Sequence, residues 1–376
     1  MHYTDEQKAL KDLVRKFAEH EIKPYVREMD EKSEFKRDVI KALGELALTG
    51  IMIPEEYGGI GEGYLTNIIF IEELSRVSAA YGAAMCVHSL CYMAILEYGN
   101  EEQKRKYLPE LASGNMLGAW ALTESNAGSD AASLRTSAVR DGNYYIFNGT
   151  KQWITNGGEA DLYITMVKTD PKKRTKGISA FIIEKGIDGL SFGKNEDKMG
   201  MRASPTRNLI FEDCRVPEKN LLGKEGEGFE ITMNELDGGR INNAALTLGI
   251  AQGALEAAID YSKEREQFNQ RICDFQGIQF MLADMATDVE TARAITEKAA
   301  YYKDNLLPVT LLASIAKMYS ADVAMRVTTN AVQIFGGYGY MKDYPVEQFM
   351  RDAKLFQITE GTNQIQRVII AKNLLK

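Results

Sequence analysis

A carboxylate stands beside a glycine in Ile358-Thr359-Glu360-Gly361-Thr362-Asn363-Gln364-Ile365-Gln366-Arg367, ahead of an apolar-periodic run ending at Leu375. Gly361 breaks the local helical pattern, so Glu360 falls at a helix start, held by the backbone yet free to point into a cavity. A base that removes a proton from carbon needs that placement: a fixed stem, a mobile oxygen and partial shielding from water. Taken alone, the match reads more simply as a carboxylate favoured by a helix dipole. Other segments of the chain tip the reading toward the base.

The first is Ala121-Leu122-Thr123-Glu124-Ser125-Asn126-Ala127-Gly128-Ser129-Asp130, whose hydroxyls and small-residue turn can aim backbone N–H groups at an isoalloxazine or a pyrophosphate. By itself it is equally a turn. In Lys151-Gln152-Trp153-Ile154-Thr155-Asn156-Gly157-Gly158 an extended strand puts Trp153 and Thr155 on one face. An indole there covers a flavin ring while the hydroxyl reaches a flavin nitrogen; the plainer alternative is a buried Trp and a strand Thr. Gln333-Ile334-Phe335-Gly336-Gly337-Tyr338-Gly339-Tyr340 ends a helical pattern, either in close-approach glycines or in an ordinary glycine stop. In Leu236-Asp237-Gly238-Gly239-Arg240 the Asp and Arg, three apart, form a weak exposed ion pair or present both charges to a nucleotide. Gly223, Gly226 and Gly228 vaguely suggest a dinucleotide fingerprint, but no βαβ unit surrounds them.

The elements that must position these residues follow an α, β, α order. Residues 1–117 are expected to be helical. Leu10, Leu13, Val14, Phe17, Ala18 and Ile22 share one face, and Thr4 with Gln7 fits a capping box. Further helices are expected near Arg37–Leu48, Tyr64–Val77, Ala80–Glu97 and Glu101–Ala112. Residues 118–225 carry short β-type runs: Ser137–Arg140 and Asn143–Phe147 around an Asp141-Gly142 type I′ turn, then Leu162–Lys168, Ile178–Glu184 and Arg207–Phe211. Asp170-Pro171-Lys172-Lys173-Arg174-Thr175-Lys176 reads as a charged hairpin tip, and the spacing predicts a small β-sandwich or barrel. Residues 226–376 return to long helical periods, including Phe280–Tyr302 and Thr310–Phe335, and predict a four-helix bundle.

Composition narrows the function classes. The 376 residues are 45% apolar and 26% charged, ordinary for a globular enzyme of two or three domains. A net charge of −8 argues against nucleic acid as main ligand. Cys86, Cys91, Cys214 and Cys273 form no CxxC pair, and His2, His20 and His88 form no HxxxH, so neither zinc nor a disulfide framework is expected. His88, in a Cys- and Met-rich apolar stretch, reads as a core residue. Met1-His2-Tyr3-Thr4-Asp5-Glu6 runs straight into an amphipathic helix, and no apolar run reaches membrane-spanning length. A cytoplasmic protein is expected, with the mitochondrial matrix after leader removal as the alternative.

Taken jointly and in this order, the five segments closely resemble the acyl-CoA dehydrogenase family of flavoproteins, over essentially the whole chain. Within it the sequence looks most like the bacterial short-chain, butyryl-CoA dehydrogenase-like branch. The resemblance implies an N-terminal helical domain, a middle β domain and a C-terminal four-helix bundle, assembled as a homotetrameric dimer of dimers. It implies FAD as cofactor, with Leu122, Thr123, Ser129, Trp153 and Thr155 on its near side. Arg265, Phe268, Gln276, Gln333 and Gly337 match positions that close over the cofactor of a neighbouring subunit, and Thr362 and Gln364 match contacts just after the base. Ser129, Asp237, Arg240 and Gly361 match substrate-side positions.

By the same resemblance, Glu360 removes the proton beside the thioester carbonyl while the next carbon passes hydride to flavin, giving trans-2-enoyl-CoA. The Glu360 N–H and a ribityl hydroxyl are expected to hold the enolate oxygen. Electrons would pass to electron-transfer flavoprotein. A branch of the family carries the base at the slot that Gly239 fills, so Glu360 has no competitor there. Departures from the family pattern are Thr359 where Tyr is usual, which would enlarge the pocket, Asn269 for Gly, Ser125 for Pro, and Gln348 for a basic residue. The alternatives are an oxidase or monooxygenase that uses oxygen, an enoyl-CoA reductase running the chemistry backwards, and a non-enzymatic scaffold or nucleic-acid binder. The acidic balance and the joint presence of Glu360, Trp153 and Thr155 argue against the scaffold and the nucleic-acid binder.

Overall fold

The computed structural model describes residues 3–376; Met1 and His2, and with them the start of the expected N-terminal segment, lie outside the described residues. Helix α1 (Asp5–Phe17) starts where the capping box places it, with the Thr4 hydroxyl accepting the Gln7 N–H and the Gln7 side chain accepting the Thr4 N–H. Val14, Phe17, Ala18 and Ile22 of its expected apolar face are buried, whereas Leu13, at the stripe's edge, stays 41% exposed. After a π-helical turn over Ala18–Ile22 come α2 (Val26–Lys32), α3 (Asp38–Glu45), α4 (Tyr64–Ser75), α5 (Ala79–Tyr98) and α6 (Glu101–Ala112). The short α2 is an addition to the sequence reading.

The expectation about apolar length fails at α5. Its 20 residues are long and apolar enough to cross a membrane, but 83% of the window is buried inside the protein. A helix apolar all round belongs in a core when neighbours cover every face, and α4, α6 and the long C-terminal helix do so here. His88 on α5 is buried as expected. Its Nδ1 accepts the Gly118 N–H at 3.1 Å and its Nε2 lies 3.2 Å from the Leu111 carbonyl, so the ring is neutral, and burial pushes its pKa down to about 3.

The β region forms an eight-stranded sheet. Its strands are β1 (Gly118–Ala121), β2 (Ser137–Asp141), β3 (Tyr144–Thr155), β4 (Leu162–Lys168), β5 (Ile178–Glu184), β6 (Leu190–Phe192), β7 (Thr206–Pro217) and β8 (Leu221–Leu222). The order is β6-β7-β3-β2-β4-β5-β8, with β1 parallel to β4. Strands β4 and β5 bury nearly every residue, because helices cover the face that an open sheet would show to water. The β2–β3 turn differs from expectation. Asp141 pairs with Tyr144, so Gly142 and Asn143 are the central residues. Of the two only Gly142 has a left-handed φ (60°), the pattern of type II′ rather than type I′.

Three long helices follow: α7 (Gly228–Glu264), α8 (Gln276–Asp304) and α9 (Thr310–Phe335), then the shorter α10 (Val346–Leu355) and α11 (Asn363–Leu374). A small β9–β10 hairpin (Glu266–Gln267, Gln270–Arg271) links α7 to α8. Helix α7 joins the two helical layers, packing on α4 and α5 as well as on α8 and α9. Gly249 and Gly253 make this possible: a Cβ on either would lie 2.4 or 2.3 Å from a carbonyl oxygen of Glu72 or Arg76.

Candidate functional site

Glu360 lies between α10 and α11, and its φ of 55° is left-handed, as is that of Gly361 at 80°. Such a backbone is costly for a side-chain-bearing residue and persists only where the surroundings enforce it. Here Gln366 Nε2 donates to the carbonyls of both Glu360 and Gly361 at 3.0 Å. Lys317 Nζ donates to the Gly361 carbonyl at 2.9 Å and to Asn363 Oδ1 at 3.2 Å. Asn363 Nδ2 in turn reaches Asp322 Oδ1 and the Met318 carbonyl, while the Thr362 hydroxyl caps α11 by accepting the Ile365 N–H. Gln364 is exposed.

The carboxylate itself is held differently. Glu360 Oε2 is buried with no hydrogen-bond partner, and the Glu360 backbone N–H is also unpaired among the described residues. A Cβ built on Gly239 would stand 3.2 Å from Oε2 and 3.5 Å from Leu90 Cδ1, so the missing side chain at 239 leaves room between α5, α7 and the carboxylate. Burial raises the Glu360 pKa above the usual carboxylate range, against the lowering pull of Arg240 and Lys317. Cys86 on α5 faces the same space. Its thiol contacts the Asn242 carbonyl at 3.5 Å and is pushed well up by burial and by the Glu360 charge.

Asp237 and Arg240 do not form the exposed ion pair that their spacing allows. Their side chains are 15% and 6% exposed, 2.5 Å apart, and the Thr310 hydroxyl donates to the other Asp237 oxygen at 2.6 Å. They are buried because α5 and α9 both pack on this stretch of α7. Arg240 Nε is left without a partner.

On the sheet, Leu122, Thr123 and Glu124 are stitched to β3. The Gln152 N–H donates to the Thr123 carbonyl, and Lys151 Nζ donates to the Leu122 carbonyl at 3.1 Å and to Glu124 Oε1 at 2.8 Å. Glu124 also accepts the N–H groups of Arg135 and Thr136. Burial works to raise the Glu124 pKa, but the Lys151 charge and these donors outweigh it and hold the carboxylate below its usual range. Burial pushes Lys151 down to about 8. Ser129 is exposed on the loop beyond.

Trp153 and Thr155 do not lie on a regular strand. The β3–β7 register shifts between Lys151 and Ile154, and Trp153 has a φ of 58°, so alternation breaks at a bulge. The outcome for the indole is still exposure, at 57%, with Ile154 buried and Thr155 half-buried.

The third group gathers apart from the other two. Arg265 and Gly337 line one cleft of about 550 Å³ with Tyr261, Phe335 and Tyr338, and the Arg265 guanidinium sits 5.3 Å from the Tyr338 ring. Phe268, on the β9–β10 hairpin, is 89% exposed, and Gln276 and Gln333 are exposed at helix ends. Nothing lies within 4 Å of a Cβ added at Gly336 or Gly337, whereas one at Gly339 would stand 2.5 Å from the Val332 carbonyl oxygen. No hydrogen bond, ion pair or ring contact joins these residues to Trp153 or Glu360 among the described residues.

Sequence reasoning missed Lys317 and the Glu124–Lys151 pair as parts of the site. A signal existed for the first: Lys317 shares a helical face with Ala313, Ala316, Ser320, Ala321 and Ala324, all buried, where a cation has no ordinary place.

Comparison with known proteins covers the whole chain. The acyl-CoA dehydrogenase N-terminal, middle and C-terminal domain families match residues 4–115, 119–214 and 226–375. The short-chain-specific acyl-CoA dehydrogenase of Clostridium acetobutylicum is 51% identical over 99% of both chains. The structure of butyryl-CoA dehydrogenase from Megasphaera elsdenii superposes with a TM-score of 0.98 at 46% identity, covering 100% of each chain. A structure from work on the electron transferring flavoprotein of Acidaminococcus fermentans gives 0.99 at 52% identity, covering 100% of this chain and 99% of that one.

Proposed function

Because the chain belongs to the acyl-CoA dehydrogenase family of FAD-dependent enzymes, we propose that it converts a short-chain acyl-CoA thioester to the trans-2-enoyl-CoA, with Glu360 as base and electron-transfer flavoprotein as electron acceptor. One observation carries the base assignment: an unpartnered, buried Glu360 Oε2 facing the space left by Gly239. Its raised pKa brings the carboxylate toward the range in which it can take a proton from a weak carbon acid near neutral pH.

The residues fit a flavin. An exposed indole on a strained bulge, the Leu122–Thr123 segment pinned from behind by Lys151, and the unpartnered Gln152 Oε1 make a surface that wants a planar polar ligand. Leu122, Thr123, Ser129, Trp153 and Thr155 would hold it in the same subunit. Arg265, half-buried, and Phe268, Gln276, Gln333 and Gly337, exposed, make no contact with them and would serve a neighbouring copy, as a homotetramer requires. FAD, when bound, supplies the acceptor for the hydride that leaves the substrate's β-carbon.

The chain's own groups do the rest. Glu360 takes the α-proton, and its free N–H is available to the thioester oxygen as negative charge builds there. Asp237 and Arg240 would bind the CoA portion, with Ser129 and Gly361 beside the thioester, Thr362 and Gln364 flanking the base. Anaerobic mixing with a panel of acyl-CoA thioesters tests the reading. Short-chain thioesters should bleach the flavin, with slow reoxidation in air. Absence of bleaching across the panel overturns the reading, and rapid peroxide release replaces it with an oxidase.

A further inference from the structure

Lys317 is 0% exposed on α9, and its Nζ has only neutral acceptors, the Gly361 carbonyl and the Asn363 side-chain oxygen. It makes no ion pair among the described residues. A buried cation without a carboxylate partner is costly, and it persists where its field acts on something. Charged and titratable groups reach Glu360 from three helices besides its own turn. From α7 comes Arg240, which is paired with Asp237 and still pulls the Glu360 pKa down, more than Lys317 does. From α9 comes Asp322, which accepts from Gln357 and Asn363 and pairs with Arg367 of α11 at 3.4 Å. From α5 comes Cys86, kept as a neutral thiol. Lys317 forms no ion pair, and of the carboxylates whose charge reaches it Glu360 acts more strongly than Asp322.

We infer that Lys317 is a positioning residue for the base: it fastens the Glu360–Gly361 turn to α9 and adds a buried positive charge to that of Arg240 in keeping Glu360 ionised at working pH. The inference rests on the proposed role of Glu360. Two opposing influences then meet on one carboxylate. Burial makes it a strong enough base, and Lys317 together with Arg240 stops burial from protonating it outright. The geometry keeps these jobs separable from folding, because Gln366 holds both carbonyls and Asn363 holds α9 without Lys317.

The test is the pH dependence of flavin bleaching by a short-chain acyl-CoA in the holoenzyme and in Lys317→Met, Lys317→Gln and Lys317→Arg. The two neutral variants should move the acid limb of the profile upward by about one pH unit, so that they lag wild type a further ~10-fold at acidic pH. The gap should narrow toward alkaline pH. Lys317→Arg should slow the reaction with the limb in place. If the neutral variants lose rate equally at every pH, or if Arg shifts the limb as far as Met, Lys317 does not tune the base. If Met fails to give folded flavoprotein, Gln carries the same comparison, and failure of both makes Lys317 a structural residue and sinks the proposal. Bleaching of wild type, and its loss in Glu360→Gln, report separately on the base itself.

Discussion

The sheet and the helical bundle each bury one lysine completely, on different terms. Lys151 in β3 meets a carboxylate at 2.8 Å, and Glu124 shares its remaining acceptor capacity with two backbone N–H groups. That charge is answered within its own domain, and its effect is architectural: it locks the Leu122–Glu124 segment against β3. Lys317 in α9 has only neutral acceptors, one of them the carbonyl of the residue after Glu360, whose own carboxylate oxygen Oε2 is unpartnered. A paired buried cation builds a site; one left without a hydrogen-bonded carboxylate acts on the chemistry there.

The contrast is sharpest in stability. Lys151→Met strands Glu124 as a buried charge, and should cost about 3–5 kcal/mol in denaturant unfolding, with flavin released more readily. A loss under 1 kcal/mol would erase the distinction between the two lysines. Replacing the pair together, Lys151→Met with Glu124→Leu, should recover most of that loss, because the desolvation of both charges disappears with them. Lys317→Met removes two hydrogen bonds to neutral acceptors and a buried charge at once, so its cost should be smaller, about 1–3 kcal/mol.

The smallest effect lies in pH. Burial pushes both lysines down to about 8, below the value of about 10.4 expected in the unfolded chain. Between those values the unfolded chain binds more protons than the folded one, so these groups make stability rise with pH from about 8 to 10.4. Each contributes at most ~1.4 kcal/mol per pH unit. Unfolding midpoints at pH 8 and 9.5 should therefore climb less in either Met variant than in wild type. Equal slopes in all three proteins would mean that neither lysine loses its proton early.

Much of this was legible in the chain before any coordinates. Gly361 marks a break ahead of a helix in the sequence; the structure adds that the break is left-handed at both Glu360 and Gly361 and that Thr362 caps the helix that follows. Long helical periods marked α7 to α9 because apolar faces repeat at 3.6 residues whatever they pack against. What stayed hidden depends on partners far away in sequence. The bulge at Trp153 is a matter of register with β7, and burial of Asp237 and Arg240 comes from helices on either side. Lys317 could be seen as a misplaced cation, but not as the neighbour of a residue 43 positions on (360 − 317), since only the return of the chain over α9 brings them together. The length of α5 shows the same limit: composition alone does not separate a core helix from a membrane span.

The central claim is that Glu360 removes the substrate's α-proton, and single-turnover bleaching of wild type against Glu360→Gln addresses it most directly. The amide keeps the size of the side chain and relieves a buried carboxylate, so the variant should fold, bind flavin and bind the thioester. Its flavin should bleach slower by about 10³-fold, within the range expected for loss of a general base. Bleaching of the Gln variant at the wild-type rate would contradict the account.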